Sequence, residues 1–154
     1  MGLDMYLDRN GKEYHYWRKA NAIHNFFVNE VQDGVDDCNS YNVPKSVIED
    51  LAERCDLVLQ ILDKCPRKEA EYCCGYQRND QGEMVKMYDT YTVYDVEDNS
   101  EIQNLLPTQC GFFFGSTEYD EYYRNMILET KEMCDDLLAT MDWDKEELTY
   151  GSSW

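Results

Sequence analysis

Residues 40–66, SYNVPKSVIEDLAERCDLVLQILDKCP, give the clearest structural signal in this sequence. Their apolar residues recur at spacings of three and four, which is typical of an α-helix with one buried face. Pro44 stands near the first turn and Pro66 ends the pattern, because proline is tolerated where a helix begins and cannot continue one. We predict a long amphipathic helix here, with a buried stripe of Ile48, Leu51, Cys55, Val58, Leu59 and Leu62.

The residues before this helix predict a strand and a second, shorter helix. Residues 3–7, LDMYL, alternate as in a half-buried strand, and Asn10-Gly11 is a typical tight turn. Residues 16–32, YWRKANAIHNFFVNEVQ, then carry helically spaced apolar side chains, and Gly34 follows the segment. The predicted inward face of this helix consists of Trp17, Ala20, His24, Phe27, Val28 and Val31.

The residues after the long helix predict a β-hairpin. Two runs rich in tyrosine and valine, at 70–78 and 83–94, flank residues 79–82, NDQG. Such runs favour strands, and the polar residues with glycine between them favour a turn.

A short strand and a third helix are predicted near the C-terminus. Residues 112–114 are three phenylalanines between glycines, a pattern typical of a buried strand bounded by turns. Thr117, with Asp120 three residues later, resembles a capping box for the following helix. Residues 142–154 are acidic and then small and polar, so we expect a frayed tail. The helical stripe consists of Tyr123, Met126, Ile127, Met133, Cys134, Leu137, Leu138 and Met141.

Together these elements predict an α+β fold in a single domain, residues 1–154, with a small antiparallel sheet packed with about three helices. A length of 154 residues, of which 43% are hydrophobic, is sufficient for one packed core.

The net charge is strongly negative and unevenly distributed. Lys and Arg total 14 against 32 Asp and Glu, which gives −18, and residues 1–31 hold equal numbers of both signs. Nucleic acids and anionic membranes bind clustered cations, so direct binding to either is disfavoured. We expect a protein with a basic surface as the partner.

Seven cysteines occur without a recognisable secretory signal or an apolar run of membrane-spanning length. An odd number in this context favours free thiols in a reducing compartment, so we expect a cytoplasmic protein in the interior of a host cell. A zinc site of Cys65, Cys73 and Cys74 with a histidine is the weaker alternative, because no C-x-x-C motif occurs. Residues 33–38, DGVDDC, do not match a calcium loop, so we predict no metal and no cofactor.

The predicted first helix has two polar features. His24 lies among inward residues, which favours a hydrogen-bonded core histidine over a free catalytic base. Arg18, Asn21 and Asn25 share the outward face, where a guanidinium and amides suit a carboxylate, a phosphate or a nucleobase edge. The alternative is a solvated face on which Arg18 pairs with an acid. No nucleophile stands at a recognisable spacing from a histidine, so no catalytic residue is predicted.

Residues 111–119, GFFFGSTEY, form a glycine-bounded loop before the third helix. Such a loop can bind phosphate through backbone N–H groups, and it could then complete a nucleotide pocket with the first helix. The acids of the following first turn oppose an added anion, so helix capping is the favoured interpretation. The residues of the alternative ligand site are Trp17, Arg18, Asn21, His24, Ser116 and Thr117.

The third helix and its flanks are strongly acidic. Residues 118–147 hold eleven acids and three bases, a net of −8. A carboxylate-rich helix face can occupy a basic groove of a nucleic-acid enzyme, and the alternative is a solubilising surface. The predicted partner-binding face consists of Glu118, Asp120, Glu121, Glu129, Glu132, Asp135 and Asp136.

Three stretches of the sequence resemble an uncharacterised family of small proteins found in phages, prophages and related bacterial genomes. They are MGLDMYL at 1–7, YWRKANAIHNFF at 16–27 and LLPTQCGFFFGSTEYDEYY at 105–123. The resemblance implies an intracellular, dispensable phage-type protein with a role in counter-defence or host takeover. It does not extend to residues 73–95.

The leading hypothesis is a non-enzymatic phage-type accessory protein that binds and modulates a host protein, for example as a nucleic-acid-mimicking inhibitor of a defence enzyme. The second is a nucleotide-binding protein, a sponge or an enzyme, that uses the alternative ligand site. A structural or assembly protein of the virion is the third.

Overall fold

The structure, a computed structural model, describes residues 2–96 and 100–154 and confirms the predicted α+β fold. Within these residues, four helices accompany a four-stranded and a two-stranded antiparallel sheet. The strands are β1 (Asp4–Arg9), β2 (Lys12–Arg18), β3 (Tyr41–Asn42), β4 (Arg67–Arg78), β5 (Met84–Tyr94) and β6 (Leu148–Ser153). The helices are α1 (Asn21–Val31), α2 (Lys45–Lys64), α3 (Ser100–Leu105) and α4 (Glu121–Thr140).

The four-stranded sheet has the order β2-β1-β6-β3 and buries one face. The apolar side chains of residues 3–7 are fully buried, as their alternation predicts. Trp17 lies opposite Met5, and Tyr150 lies opposite Leu7, so the neighbouring strands extend the same apolar face. This face and the buried sides of the helices form one hydrophobic core.

The predicted frayed tail, residues 142–154, is wrong, because its last part forms β6 inside the sheet. β6 pairs with β1 on one side and with β3 on the other, and Leu148 and Tyr150 are buried. The connection from α4 is held by Arg9, whose guanidinium lies 2.9 Å from the Glu146 carboxylate. The strand LTYGSS has little apolar alternation, and its burial comes from pairing with residues that are distant in the sequence.

The predicted first helix begins later than residues 16–32 suggest. Residues 12–18 form β2, Lys19 turns the chain with a φ of 54°, and α1 starts at Asn21. Because side chains alternate across a strand, Trp17 faces the core while Arg18 faces the solvent. Of the predicted inward positions within α1, His24, Phe27 and Val28 are buried and Val31 is half-buried.

Both long helices are confirmed, and they pack against each other. Cys55 on α2 and Cys134 on α4 are fully buried, as their apolar positions predict. The cap of α4 differs from the prediction, because Asp120 is the N-cap and accepts from the Tyr123 N–H at 2.9 Å. Thr117 therefore does not cap the helix.

Residues 112–114 form a turn rather than the predicted buried strand. The Phe114 N–H donates to the Gly111 carbonyl at 3.2 Å, and Phe113 has a φ of 62°. Only Phe114 enters the core, while Phe112 is 80% exposed. The chain therefore bends within the run of phenylalanines, at Phe113, and not only at its ends.

The predicted hairpin is confirmed as the long ribbon β4–β5. Its outer part, residues 71–90, is called the arm here, and all of it except Gly75 and Asn79 is exposed. A bulge between Cys73 and Gly75 adds one residue to β4. As a result Tyr72, opposite Asp89, and Tyr76, opposite Lys86, lie on different faces of the ribbon.

Candidate functional site

His24 is a buried, hydrogen-bonded residue, as the sequence favours. Its side chain is 1% exposed, and its Nδ1 lies 2.5 Å from the Tyr150 hydroxyl. Its Nε2 lies 2.9 Å from the Asp36 carboxylate, which also accepts from the Trp154 indole at 3.2 Å. Both ring nitrogens are therefore engaged in fixing β6 and the loop after α1.

Asn21 faces inward, so the predicted outward position is wrong. Its Nδ2 donates to the carbonyls of Phe114 at 3.1 Å and Ser116 at 2.9 Å, and its Oδ1 accepts from the Gln109 N–H at 3.0 Å. The amide is 4% exposed, so these bonds join α1 to the loop before α4 within the core. A ligand would have to replace three internal hydrogen bonds.

Trp17 and Arg18 point in opposite directions. The Trp17 indole donates to the buried Thr130 hydroxyl at 2.9 Å and packs inside the core. Arg18 lies on the solvent face of β2, opposite Asp4, and its carbonyl accepts from the Tyr122 hydroxyl at 2.7 Å. The predicted fork of Arg18 with Asn21 and Asn25 on one helical face does not form, because Arg18 is outside the helix.

The loop residues of the alternative ligand site contact the protein itself. The Ser116 hydroxyl accepts from the Glu118 N–H at 3.1 Å, and the Thr117 carbonyl accepts from the Thr108 hydroxyl at 2.9 Å. The cavity beside Asn21 and Ser116 has a volume of only about 10 Å³. The structure thus brings Asn21 and Ser116 into contact, and leaves no room for a nucleotide between them.

The acidic residues from the middle of α4 onward are of two kinds, those that bind another side chain and those that do not. Asp135 pairs with Lys131 at 2.6 Å, and Asp136 accepts from the Tyr14 hydroxyl. Glu129 and Glu132 are exposed and have no hydrogen-bond or ion-pair partner within residues 2–96 and 100–154. Helical spacing places both on the same outward face.

The acids at the start of α4 form a second cluster, together with tyrosines from the hairpin. The Tyr91 hydroxyl donates to Glu118 at 2.7 Å, and the Tyr94 hydroxyl donates to Glu121 at 2.7 Å. An open cleft of about 510 Å³ lies here, between the base of the arm and α4. We call it the tyrosine–acid cleft, and its chemically distinctive lining is Tyr72, Tyr91, Tyr122, Glu118, Asp120 and Glu121.

The electrostatics of this cleft favour neutral tyrosines beside charged carboxylates. The hydrogen bond to Glu118 raises the pKa of Tyr91, and burial raises the pKa of Tyr122. Burial, followed by the hydrogen bond to Glu121, likewise raises the pKa of Tyr94. The three hydroxyls therefore stay protonated at neutral pH and add no negative charge to the cleft.

Sequence reasoning identified the acids of the cleft but missed its tyrosines. Tyr72 and Tyr91 belong to the hairpin, and Tyr122 follows the first residue of α4. The signal that could have found them is the high tyrosine content of the hairpin, combined with the acidic first turn of a later helix. The pairing of Val93 with Asp120 joins the two regions, and no local pattern predicts it.

The cysteines form no disulfides in the described part of the chain. Burial raises the pKa of the Cys55 and Cys134 thiols, the latter to about 12. Cys73 and Cys74 are exposed on the arm, and among the described residues no group of three or more His, Cys, Asp or Glu could hold a metal ion. No residues here are therefore assigned to a metal or a cofactor.

A separate cavity of about 730 Å³ lies between the end of α2 and α3, where Leu57, Ile61 and Leu105 contribute apolar walls. None of the residues singled out from the sequence as a ligand site lines it.

Of the helices that the structure describes, none has the length and apolar character needed to cross a membrane. No family model, curated protein or solved structure matches this chain.

Proposed function

We propose that the protein acts by binding a partner protein with a basic surface, and that it modulates this partner without catalysing a reaction. The observation that carries the proposal is that polar groups of the predicted ligand site are buried, whereas carboxylates of α4 are exposed. Two of the predicted ligand-site residues, His24 and Asn21, are engaged in hydrogen bonds inside the core. The carboxylates of Glu129 and Glu132 instead face solvent on a rigid helix.

The charge of the chain supports the same proposal. A net charge of −18 repels acidic partners and attracts basic ones over the range of a Debye length, about 10 Å at moderate salt. The resemblance of residues 1–7, 16–27 and 105–123 to a phage family suggests a host protein as the target. A basic groove that normally holds nucleic acid is one surface of this kind.

Affinity capture from a bacterial lysate tests the proposal, with the intact protein as bait at low and at high salt. We expect one or a few basic proteins to be captured at low salt and lost at high salt, because salt screens exposed charges. Reversal of charge in a Glu129→Lys, Glu132→Lys double variant should reduce capture at least tenfold. These side chains hold no partner in the described fold, so the variant should keep its melting temperature.

A control reverses one exposed charge on another surface. Glu53 is exposed on α2 and likewise has no ion-pair partner in the part of the chain that the structure describes. Glu53→Lys should leave capture within about twofold of the unsubstituted protein, because Glu53 lies on α2 and outside the proposed binding face of α4. Glu132→Lys alone provides the comparison with one reversed charge on α4. Capture that ignores salt, or that falls equally in the control, contradicts the proposal.

A nucleotide-binding function is not proposed, because the residues predicted for it do not form one site. Asn21 and Ser116 enclose almost no volume, and Arg18 lies on the outer face of the sheet. A thermal-shift screen with nucleotides provides the check, because a ligand that binds only the folded state must raise the melting temperature. We expect no shift.

A further inference from the structure

The outer edge of β5 is an open strand edge. At its base, the Tyr94 N–H donates to the Tyr119 carbonyl at 2.8 Å, and Val93 bridges Asp120 in antiparallel fashion. Among the described residues this bridge is the only pairing on that edge. Residues 119–120 therefore pair with the base of β5 as a short third strand would. From Thr92 back to Met84, this edge of β5 has no such neighbour among the described residues.

The backbone groups of β5 that point away from β4 can be assigned. Residues two apart on a strand present their N–H and C=O groups to the same side, so those of Thr92, Thr90 and Tyr88 point the same way as those of Tyr94. The Thr90 N–H instead donates to the Asp89 carboxylate at 2.8 Å, which is consistent with this outward direction. A two-stranded ribbon is only marginally stable alone, and an added strand would support it.

The tyrosine–acid cleft lies next to this edge and is built for a cation. Tyr72 and Tyr91 are in contact, with ring centroids 5.8 Å apart and an interplanar angle of 67°. Tyrosine faces attract guanidinium and ammonium groups, and nearby carboxylates add direct charge attraction. Glu118, Asp120 and Glu121 supply three carboxylates in the same cleft.

The hairpin itself is almost neutral, unlike the rest of the molecule. Residues 67–94 contain four bases and five acids, a net of −1, so the remaining residues carry −17 of the −18. An approaching basic segment meets apolar and aromatic side chains on the arm and acids at its base. Two copies of this chain would instead bring two bodies of −17 together, so a second copy is disfavoured as the occupant.

We propose that the outer edge of β5 and the tyrosine–acid cleft together bind an extended basic segment of the partner protein. Its main chain adds a third strand to the arm, and one arginine or lysine side chain lies among Tyr72, Tyr91, Tyr122 and the three carboxylates. Main-chain bonds of this kind give affinity, while the pocket beside them gives specificity. This inference deepens the proposed function and rests on it only in taking the partner to be basic.

A designed peptide tests the site without knowledge of the partner. The probe is the acetylated and amidated octapeptide Thr-Val-Arg-Val-Thr-Val-Arg-Thr, and its control replaces both arginines with citrulline, which is neutral. Titration of the intact, isotope-labelled protein is followed by NMR. We expect shifts of the Thr92, Thr90 and Tyr88 amides, and binding at least tenfold weaker for the citrulline peptide.

Three variants separate the edge, the cleft and the general surface. Thr90→Pro removes an edge N–H that takes no part in the ladder with β4, so the fold should be retained and the affinity should fall at least tenfold. Tyr72→Ala should weaken binding five- to tenfold. Its matched control, Tyr76→Ala, lies on the opposite face and should change the affinity less than twofold.

The outcomes distinguish this inference from the proposed function. The proposed site is wrong if the arginine peptide does not bind, or if Tyr72→Ala and Tyr76→Ala lower its affinity equally. This holds even when a basic protein is captured in a salt-sensitive way. Dimerisation in sedimentation that Thr90→Pro abolishes also overturns it, because a second copy would then occupy the edge. Specific peptide binding without any captured basic protein supports the site while the proposed function fails.

Discussion

Within residues 2–96 and 100–154, two antiparallel hairpins differ in how much of their surface the rest of the protein covers. The β1–β2 hairpin buries one face beneath the helices, and its residues 3–7 place Leu3, Met5 and Leu7 completely in the core. The β4–β5 hairpin leaves both faces of its outer part in solvent, including Tyr76 and Tyr88 at about 60% exposure. Each hairpin pairs regularly apart from one shift of register, so backbone pairing alone does not explain the difference.

The difference lies in which side chains alternate along the strands. In residues 3–7 every second residue is apolar and buried, so one face can be dry and the other polar. In the arm each face mixes tyrosine, methionine or valine with polar and charged residues, so neither can be buried completely. Tyrosine suits a surface that is exposed in one state and covered in another, because it has a large ring and a polar tip.

Two deletions should give the largest difference in stability between the hairpins. Removing residues 148–154 deletes an interior strand of the four-stranded sheet, so we expect no cooperative unfolding transition and the loss of near-UV circular dichroism. Replacing residues 71–90 by Asn-Gly, which joins the paired Ala70 and Tyr91 by a tight turn, should leave the core folded. Both are measured by thermal unfolding. An arm deletion that unfolds the protein would show that the hairpin belongs to the core.

Large-to-small substitutions give the next largest difference. Phe27 is fully buried and stacks on Tyr150 with ring centroids 4.2 Å apart, so Phe27→Ala should lower the free energy of unfolding by about 3–5 kcal/mol. Tyr76→Ala on the arm should change it by less than about 0.5 kcal/mol. Urea denaturation measures both. Similar losses in the two variants would mean that the arm packs against the body.

The sequence predicted the elements whose own side chains determine them. The stripe of α2 and the alternation of residues 3–7 sufficed because each element carries its own buried face. Residues 16–18 were predicted to be helical because their apolar and polar residues continue the helical period, and the turn at Lys19 leaves no clear local signal. β6 was missed because LTYGSS is buried by its neighbours rather than by its own pattern.

The candidate site was predictable only in part for the same reason. The acids of α4 are visible as a composition, and their exposed positions follow from helical periodicity. The tyrosine–acid cleft requires the base of the hairpin to meet residues 119–120, and this contact joins segments that are far apart in the chain. His24 was predicted to be buried, whereas its partners Tyr150 and Asp36 were not predicted.

The buried amide of Asn21 provides a smaller test of how the body holds its loops. Asn21→Ala leaves the Gln109 N–H and two carbonyls without their partner, so we expect a loss of about 2 kcal/mol in the free energy of unfolding. Amide exchange at Gln109 should accelerate as well. Asn25→Ala is the control, because its side chain only accepts from Asn29 at 3.3 Å, and it should change stability by less than about 0.5 kcal/mol. Equal effects would mean that Asn21 does not hold the loop.

The smallest expected changes in stability concern two tyrosines, one in each hairpin, that bind acids at or next to α4. Burial, followed by the hydrogen bond to Asp136, raises the pKa of Tyr14 from 10.0 to about 12. The folded state then holds a proton that the unfolded state loses, so the stabilisation by the hydroxyl is complete below pH 10 and is lost as the pH rises towards 12. Tyr14→Phe should therefore cost about 0.5–1 kcal/mol at neutral pH and less above pH 10, which urea denaturation at several pH values measures.

Tyr91→Phe is the matched variant at the base of the arm, where the partner is Glu118. Its hydrogen bond also raises the pKa of the tyrosine, but the hydroxyl is exposed to solvent, and water can replace the bond. The change in stability should therefore be smaller than for Tyr14→Phe and should depend less on pH. The opposite order would place the firmer attachment to α4 at the arm. The arm would then be a fixed part of the body, and an added strand would contribute little to its stability.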